Sequence, residues 1–470
     1  MTLENRSATR GTAISKEAVL AGSAAGVHLA LQSLDRWAPA DLSVRAAALV
    51  GEGAASLPVV ARSPTWSGLD FQTDTMSIIV LVEAPPTPEK TRALLKRAAD
   101  ARKKVMLLEA GKLRALTIGD LVGRHLGAVD RERIRSIIAG KRVLITGGGG
   151  SIGAELARRV SDLGPARLTI LDSSEFNLFR MGHELPDAKI VLADVRDAYA
   201  VQRWLTREKP DLVFHAAALK QVPLVEMFPS EGVLTNVSGL KHVAETCQAI
   251  GADLIFVSTD KAVDPSGVMG ASKRLGEVYC QAIDRKGGKR AIPVRLGNVL
   301  GSAGSVTPIF ESQLAAGGPL TITDPEVTRF FISIPQAADV LLQAAAVGIG
   351  AEATRGAAMV IDMGEALPVV ELARDMIRLE GLRPDVDVPI TFVGLRPGEK
   401  LHEALVAANE RRAPEPAPGV IVAHSAARQL SELTEAFERL AALAREGREE
   451  EAAVALFAAV NGALKLAAAE

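Results

Sequence analysis

The chain has 470 residues, 48% of them hydrophobic and 23% charged, with a mean hydropathy of +0.18. Its 54 Lys and Arg are balanced by 56 Asp and Glu, a net charge of −2, without the overall basic excess of a nucleic-acid binder. The two cysteines, Cys247 and Cys280, exclude a disulfide framework and a Cys-built zinc site, and point to a reducing cytoplasm.

At about 150 residues per domain, the length predicts about three structural units. No apolar run reaches the ~20 residues of a spanning helix. Ala18–Leu31 is short, rich in small residues and carries His28. Met1–Lys16 holds Glu4, Arg6, Arg10 and Lys16 with no apolar segment behind them, unlike a secretory signal. The expectation is a soluble cytoplasmic protein without a membrane span. Thr2–Lys16 reads as disordered, Glu17–Leu34 as a small Ala-rich helix, and residues 1–75 as poorly patterned. Ser77–Val82 and Lys104–Leu108 read as strands around a helix over Pro88–Lys103. Residues 76–125 are therefore expected to be a degenerate α/β remnant, and without a phosphate loop they suggest no chemistry.

The middle of the chain is clearer. Val143–Thr146, Leu168–Asp172, Ile190–Asp194, Leu212–Ala217, Leu254–Thr259 and Pro293–Leu296 are short apolar runs bounded by turn residues. Helical patterns over Ala154–Leu163, Ala198–Glu208, Glu231–Ile250 and Ala271–Asp284 separate most of them. Such alternation predicts an α/β fold, a doubly wound parallel sheet of the Rossmann type over 139–300. A smaller substrate-binding part is expected mainly over 300–408, with helices at Ile334–Val347 and Val369–Leu379, inside one catalytic domain spanning 126–410. Arg411–Pro418 is charged and Pro-rich, so 411–424 reads as a linker. Ser425–Ala469 is Ala/Leu/Glu/Arg-rich with helical periodicity, which predicts a helical appendage over 425–470. The apolar stripe of Ser431–Ala444 suggests self-association into a homo-oligomer.

Lys141-Arg-Val-Leu-Ile-Thr146 runs into Gly147-Gly-Gly-Gly-Ser-Ile-Gly153 and then a helix. Glycines at 147, 150 and 153, with Ser151 and Ile152 between the last two, fit a dinucleotide loop. There the chain turns tightly and backbone N–H groups approach a pyrophosphate. Asp172 ends the next strand, about 20 residues on, where a carboxylate bonds the adenosine ribose hydroxyls. A carboxylate repels a 2′-phosphate, so NAD is the expected cofactor and NADP the alternative. Arg180 and Ser173-Ser174 are the groups that would soften this choice. The histidines show no metal-ligand spacing, so no metal is expected. Both cysteines lie on predicted helices and read as core thiols.

With Ala193-Asp-Val195, His215-Ala-Ala-Ala218 and Ser258-Thr-Asp-Lys-Ala-Val263, this loop resembles the extended short-chain dehydrogenase/reductases. Val268-Met-Gly-Ala-Ser-Lys273 and Gly394-Leu-Arg-Pro-Gly-Glu-Lys400 narrow the resemblance to the polysaccharide-biosynthesis branch that contains UDP-N-acetylglucosamine 4,6-dehydratases. The match runs from about residue 115 to 408. Long members of that branch carry membrane helices and a further nucleotide-binding-like domain; against them, residues 75–115 look like a worn remnant of that domain.

The resemblance implies that Asp194 and Val195 lie against adenine, that Ala216, Ala217 and Ala218 line the cofactor, and that Lys273 holds the nicotinamide ribose. It implies that Thr259, Asp260 and Lys261 face the sugar of a UDP-sugar substrate, with Asp260 as acid and Lys261 as base. Arg329 and Arg396 suit a diphosphate clamp, Arg396 beside the Glu399-Lys400 pair, and Lys220 and Asn298 are further substrate-binding candidates. The expected activity is a 4,6-dehydratase (a lyase): C4 oxidation, loss of water across C5 and C6, and hydride return to C6. A 4-epimerase and a non-catalytic dinucleotide sensor or scaffold are the alternatives. Dehydrogenases of this kind generally use Tyr-x-x-x-Lys, but here Met269 stands at the tyrosine position, and a thioether has no proton to exchange. Lys261, with a pKa lowered by a neighbouring Lys273 and with Thr259 as relay, is the expected replacement base.

Overall fold

A computed structural model describes residues 16–39, 42–69, 77–83, 87–122 and 129–467. The described residues fall into two compact units: one within Met1–Gly123, Phe310–Thr321 and Glu371–Thr391, the other within Arg124–Ile309, Ile322–Val370 and Phe392–Glu470.

The first unit is built on strands β1 (Lys16–Gly22), β2 (Leu42–Val50), β3 (Val59–Ser63), β4 (Ile78–Leu81), β5 (Lys104–Glu109) and β6 (Lys112–Ala115). They form one sheet in the order β3-β2-β1-β4-β5-β6, with only β6 antiparallel. Helix α1 (Ala24–Gln32) follows β1, and α2 (Pro88–Asp100) joins β4 to β5. This corrects the expectation for 1–75 and 76–125: six strands from both ranges share one sheet, and Glu17–Leu34 contains a strand followed by helix. Stretches such as Ala18-Val-Leu-Ala21 and Ala46-Ala-Ala-Leu49 are fully buried strands. Alanine favours helices, and buried parallel strands show no polar alternation, so neither periodicity marked them. The expectation for residues 2–15 lies outside the described residues. At the mouth of β1 the Glu83 carboxylate accepts from the Ser23 backbone N–H at 2.6 Å, so an internal anion meets the start of α1.

The second unit opens with β7 (Arg142–Thr146), α3 (Ser151–Asp162), β8 (Arg167–Asp172), α4 (Glu175–Glu184), β9 (Lys189–Leu192) and α5 (Ala198–Glu208). Next come β10 (Leu212–His215), the short helix α6 (Val222–Met227), α7 (Gly239–Ile250), β11 (Asp253–Thr259), α8 (Val268–Lys286) and β12 (Ala291–Leu296). Helix α9 (Ile334–Gly350) and strand β13 (Ala357–Ile361) complete the parallel part. The order β13-β12-β11-β10-β7-β8-β9 reverses beside β7, the doubly wound arrangement. Strand β7 sends Val143 and Ile145 into one core and Leu144 into the other, so both faces are covered.

Residues 411–424, expected as a linker, form an antiparallel hairpin, β14 (Arg411–Ala417) and β15 (Val420–His424), with β15 paired to β13. Pro414 and Pro416 suggested a linker, but an edge strand tolerates proline because its outer N–H groups have no partner to lose. Helices α10 (Leu430–Arg445) and α11 (Glu449–Ala467) then pack on α8. Leu433, Phe437 and Leu440, from the stripe expected to drive self-association, are buried within this same unit. Phe437 stacks on Tyr279 at 4.4 Å. Covered by these helices and the sheet, α8 is buried at every residue from Val268 to Asp284. Among the described residues, no helix is long and apolar enough to cross a membrane.

One charged cluster ties these layers together. Arg295 of β12 makes paired hydrogen bonds to Glu277 of α8 and to Glu410, at 2.6 to 2.8 Å, and all three side chains are fully buried. Arg274 reaches the same two carboxylates, so two cations balance two anions. Breaking a buried pair leaves an uncompensated charge, whereas removing both partners often costs little. Glu410→Leu should therefore lose about 3–5 kcal/mol in denaturant unfolding. Arg295→Met with Glu410→Leu leaves the Arg274–Glu277 pair balanced and should recover much of that loss. Equal destabilisation in the single and double variants would contradict the coupling.

Candidate functional site

The glycine loop lies at the C-terminal end of β7, with Gly150 as the N-cap of α3. Gly147 has φ +64, and a Cβ there would stand 2.5 Å from the Ala217 N. A Cβ on Gly153 would come within 2.1 Å of the Gly147 carbonyl oxygen. The loop thus packs backbone against backbone, leaving a cradle of the kind a pyrophosphate needs at the start of α3. Asp172 joins the loop: its carboxylate accepts from the Gly149 N–H and the Ser174 N–H, each at 2.9 Å. Arg180 donates to the Gly149 carbonyl at 3.4 Å. Ser151 accepts from the Ala303 N–H at 3.1 Å, and Ile152 is half-buried against the core.

Ala216, Ala217 and Ala218 are half-buried just past β10, and the Ala216 N–H bonds Thr146. The Asp194 carboxylate is bound by Arg196; burial opposes its charge, but those hydrogen bonds hold it below the usual carboxylate range. Val195 is buried against Gly239. Beneath the alanines, His215 meets the Thr146 hydroxyl at 2.7 Å, and its other ring nitrogen has no partner among the described residues. Burial, with the Lys273 charge, pushes this imidazole down to about 3, so it is neutral. Lys273 donates to the Val257 carbonyl at 3.0 Å and lies 4.6 Å from the Phe256 ring centre. Burial pushes Lys273 down to about 8.

At the end of β11, one row of hydrogen bonds joins the expected reactive groups. The Thr259 hydroxyl and the Lys261 ammonium each donate to Asp260 Oδ1 at 2.9 Å. Lys261 also donates to Asn298 Oδ1 at 2.9 Å and lies 3.8 Å from Glu403. Asp260 is fully buried, and its Oδ2 has no partner among the described residues. Lys261, Met269, Lys400 and Glu403 line a single cleft. Acceptors surround the Lys261 amine, and Lys273 donates to the Val257 carbonyl. Asn298 likewise serves Lys261 in this structure. Neither tyrosine stands in for Met269, because Tyr199 is exposed on α5 and Tyr279 is held between Phe437 and Glu245.

Of the expected diphosphate ligands, Arg329 is buried and donates to Glu399 and to the Thr328 and Leu401 carbonyls. Arg396 is exposed at the turn. Lys220 reaches Ser302 at 3.1 Å, and burial of its amine lowers its proton affinity. Cys247 and Cys280 are buried, and burial raises both thiols above the usual range. Among the described residues, no cluster of three or more His, Cys, Asp or Glu is placed to hold a metal.

Sequence reasoning missed Glu403, Glu277 and Asn236. Asn236 exchanges two hydrogen bonds with the Leu219 backbone and donates to Ser272, pinning the alanine segment to α8. A buried asparagine inside a helical stretch was the one available signal, since such a residue needs a partner. Nothing in the spacing marked the two glutamates.

Residues 143–425 match the family described as polysaccharide biosynthesis protein. Capsular polysaccharide biosynthesis protein CapD of Staphylococcus aureus is 41% identical over 312 residues, 64% of this chain and 51% of that protein. The chain thus spans about half the length of that relative. A UDP-glucose 4-epimerase of Rickettsia akari is 35% identical over 282 residues, 57% of this chain and 79% of that protein. Among solved structures, a DesIV double mutant (dTDP-glucose 4,6-dehydratase) from Streptomyces venezuelae, with NAD and DAU bound, is 25% identical. It aligns with a TM-score of 0.50 over 56% of this chain and 88% of its own.

The cradle makes a direct prediction. Gly153→Ala should abolish NAD binding in an equilibrium titration while leaving the fold intact, because the added methyl collides with the backbone of the loop. Wild-type affinity in that variant would show that no dinucleotide uses this loop.

Proposed function

The chain belongs to the polysaccharide biosynthesis protein family, and from that premise we propose that it is an NAD-dependent nucleotide-sugar 4,6-dehydratase. Its expected substrate is a UDP-N-acetylhexosamine, UDP-N-acetylglucosamine first among them, and its product serves surface-glycan synthesis. The observation that carries this reading is the row Thr259–Asp260–Lys261, aligned by hydrogen bonds at the strand end where doubly wound sheets bind ligand. An epimerase needs no such tandem acid and base.

The glycine loop, Asp172, Ala216–Ala218 and Lys273 would hold the dinucleotide, and Asp172 disfavours a 2′-phosphate, so NAD is preferred to NADP. Bound there, NAD supplies the acceptor for hydride from C4 and the donor to C6. The chain's own groups move the protons. Thr259 passes the C4 hydroxyl proton to Asp260, which takes the place of the missing tyrosine. Asp260 then gives that proton to the departing 6-hydroxyl. Lys261, once its ammonium has released a proton to solvent, removes the C5 proton, made acidic by the C4 ketone, and returns it to C5. This assigns the hydroxyl proton to Asp260 instead of Lys261, because the Thr259 hydroxyl already donates to the Asp260 carboxylate. Each proton-transfer group contributes roughly 10²–10⁴ in rate.

Mass spectrometry of UDP-N-acetylglucosamine incubated with the enzyme should show a product lighter by one water. Asp260→Asn should slow both cofactor reduction and water loss by about 10²-fold or more. Lys261→Met should still form NADH and fail to eliminate water. An isomer of unchanged mass would establish the epimerase. No turnover, or near-normal rates in both variants, would refute the assignment.

A further inference from the structure

Glu226, on α6, has no part in the reaction just described. Its carboxylate nevertheless accepts the Val268 N–H at 2.6 Å; burial pushes this carboxyl above the usual range, and the Val268 and Met269 N–H groups act against that by favouring its charge. These are the first amides of α8, the helix that carries Met269 and Lys273. The helix's own N-cap, Gly267, offers no side chain, so Glu226 supplies from another element the acceptor that an N-cap residue would normally provide. The contact is tightly fitted. A Cβ on Gly267 would lie 2.5 Å from Glu226 Oε1, and one on Gly398 would lie 2.8 Å from it. The first turn of α8 in turn rests on the reactive row, since a Cβ on Gly270 would stand 2.3 Å from the Lys261 carbonyl oxygen. Displacing that turn therefore displaces Lys261 and Met269 together.

We propose that Glu226 is a positioning residue, holding the start of α8 so that Met269 and the Lys261 backbone keep their places in the cleft. It acts through its hydrogen bond to the start of α8, and it lines the same cleft as Lys261 and Met269. The proposal rests on the dehydratase reading for the step it affects, and on the geometry alone for the contact.

Glu226→Ala and Glu226→Gln test it with two readouts: amide hydrogen exchange over residues 267–271, and kcat and KM for reduction of bound NAD by UDP-N-acetylglucosamine. Loss of the cap in Glu226→Ala should speed exchange by about tenfold and lower kcat by about tenfold, with KM changed by less than about threefold. Glutamine keeps an acceptor oxygen, so Glu226→Gln should restore both values to within about threefold of wild type. Unchanged exchange or unchanged kcat in the alanine variant would overturn the proposal. So would a glutamine variant as impaired as alanine, which would assign a role to the charge. If Glu226→Ala does not fold, Glu226→Asp, one methylene too short to reach the amides, should show the same two losses. Cofactor reduction begins a dehydratase and an epimerase cycle alike, so a failed dehydratase reading leaves this test intact. If no UDP-sugar reduces the cofactor, the exchange result decides the contact by itself.

Discussion

Four fully or almost fully buried charges, Arg274, Glu277, Arg295 and Glu410, tie α8, β12 and the hairpin edge of the second unit together. A single charge in that interior would be untenable, and even a matched pair gains little net stability against apolar replacements. What the cluster does supply is position. Glu277 accepts the Ser258 hydroxyl at 2.7 Å, and Ser258 immediately precedes Thr259, Asp260 and Lys261. The end of β11 is therefore fixed by the helix that carries Met269 and Lys273. Glu410 brings in the hairpin edge, and Ser425, at its far end, bonds Glu410 as well. Each partner restricts the others, so the row at the end of β11 is held by segments from β11, α8, β12 and the hairpin edge.

The same logic explains how a methionine can sit where a phenol is expected. Met269 is buried, and the polar atoms near it are already organised by other groups. The proposed proton path instead uses the end of β11, where Asp260 is buried and accepts from both neighbours. Lys273, tied to a carbonyl and lying near an aromatic face, stands apart from that path. The alanine segment after β10 and the Thr259–Lys261 row after β11 lie at adjacent strand ends of one sheet, as the proposed reaction requires.

Much of this was legible in the sequence. Apart from the edge strand β9, the strands from Arg142 to Leu296 are buried on both faces and read as continuous apolar runs closed by turn residues. The glycine loop and Asp172 announced themselves by spacing. Of the first sheet, β4 and β5 with the helix between them were legible, whereas β1 and β2 were not, because they are written largely in alanine and valine without alternation. The hairpin at 411–424 was hidden by prolines that only an edge strand accepts. Nor could spacing show that Asn298 and Glu403 flank Lys261, that Arg329 is consumed by Glu399, or that the stripe on α10 is covered by its own chain. Those facts depend on which distant segments meet, and local pattern carries no record of that.

The central claim is that hydrogen removed from C4 is returned to C6 of the same sugar while Asp260 and Lys261 move the protons. UDP-N-acetylglucosamine labelled with deuterium at C4 tests it most directly. The account predicts a dehydrated product carrying the deuterium on C6, located by NMR. Recovery of the label at C4 in a sugar of unchanged mass would contradict it.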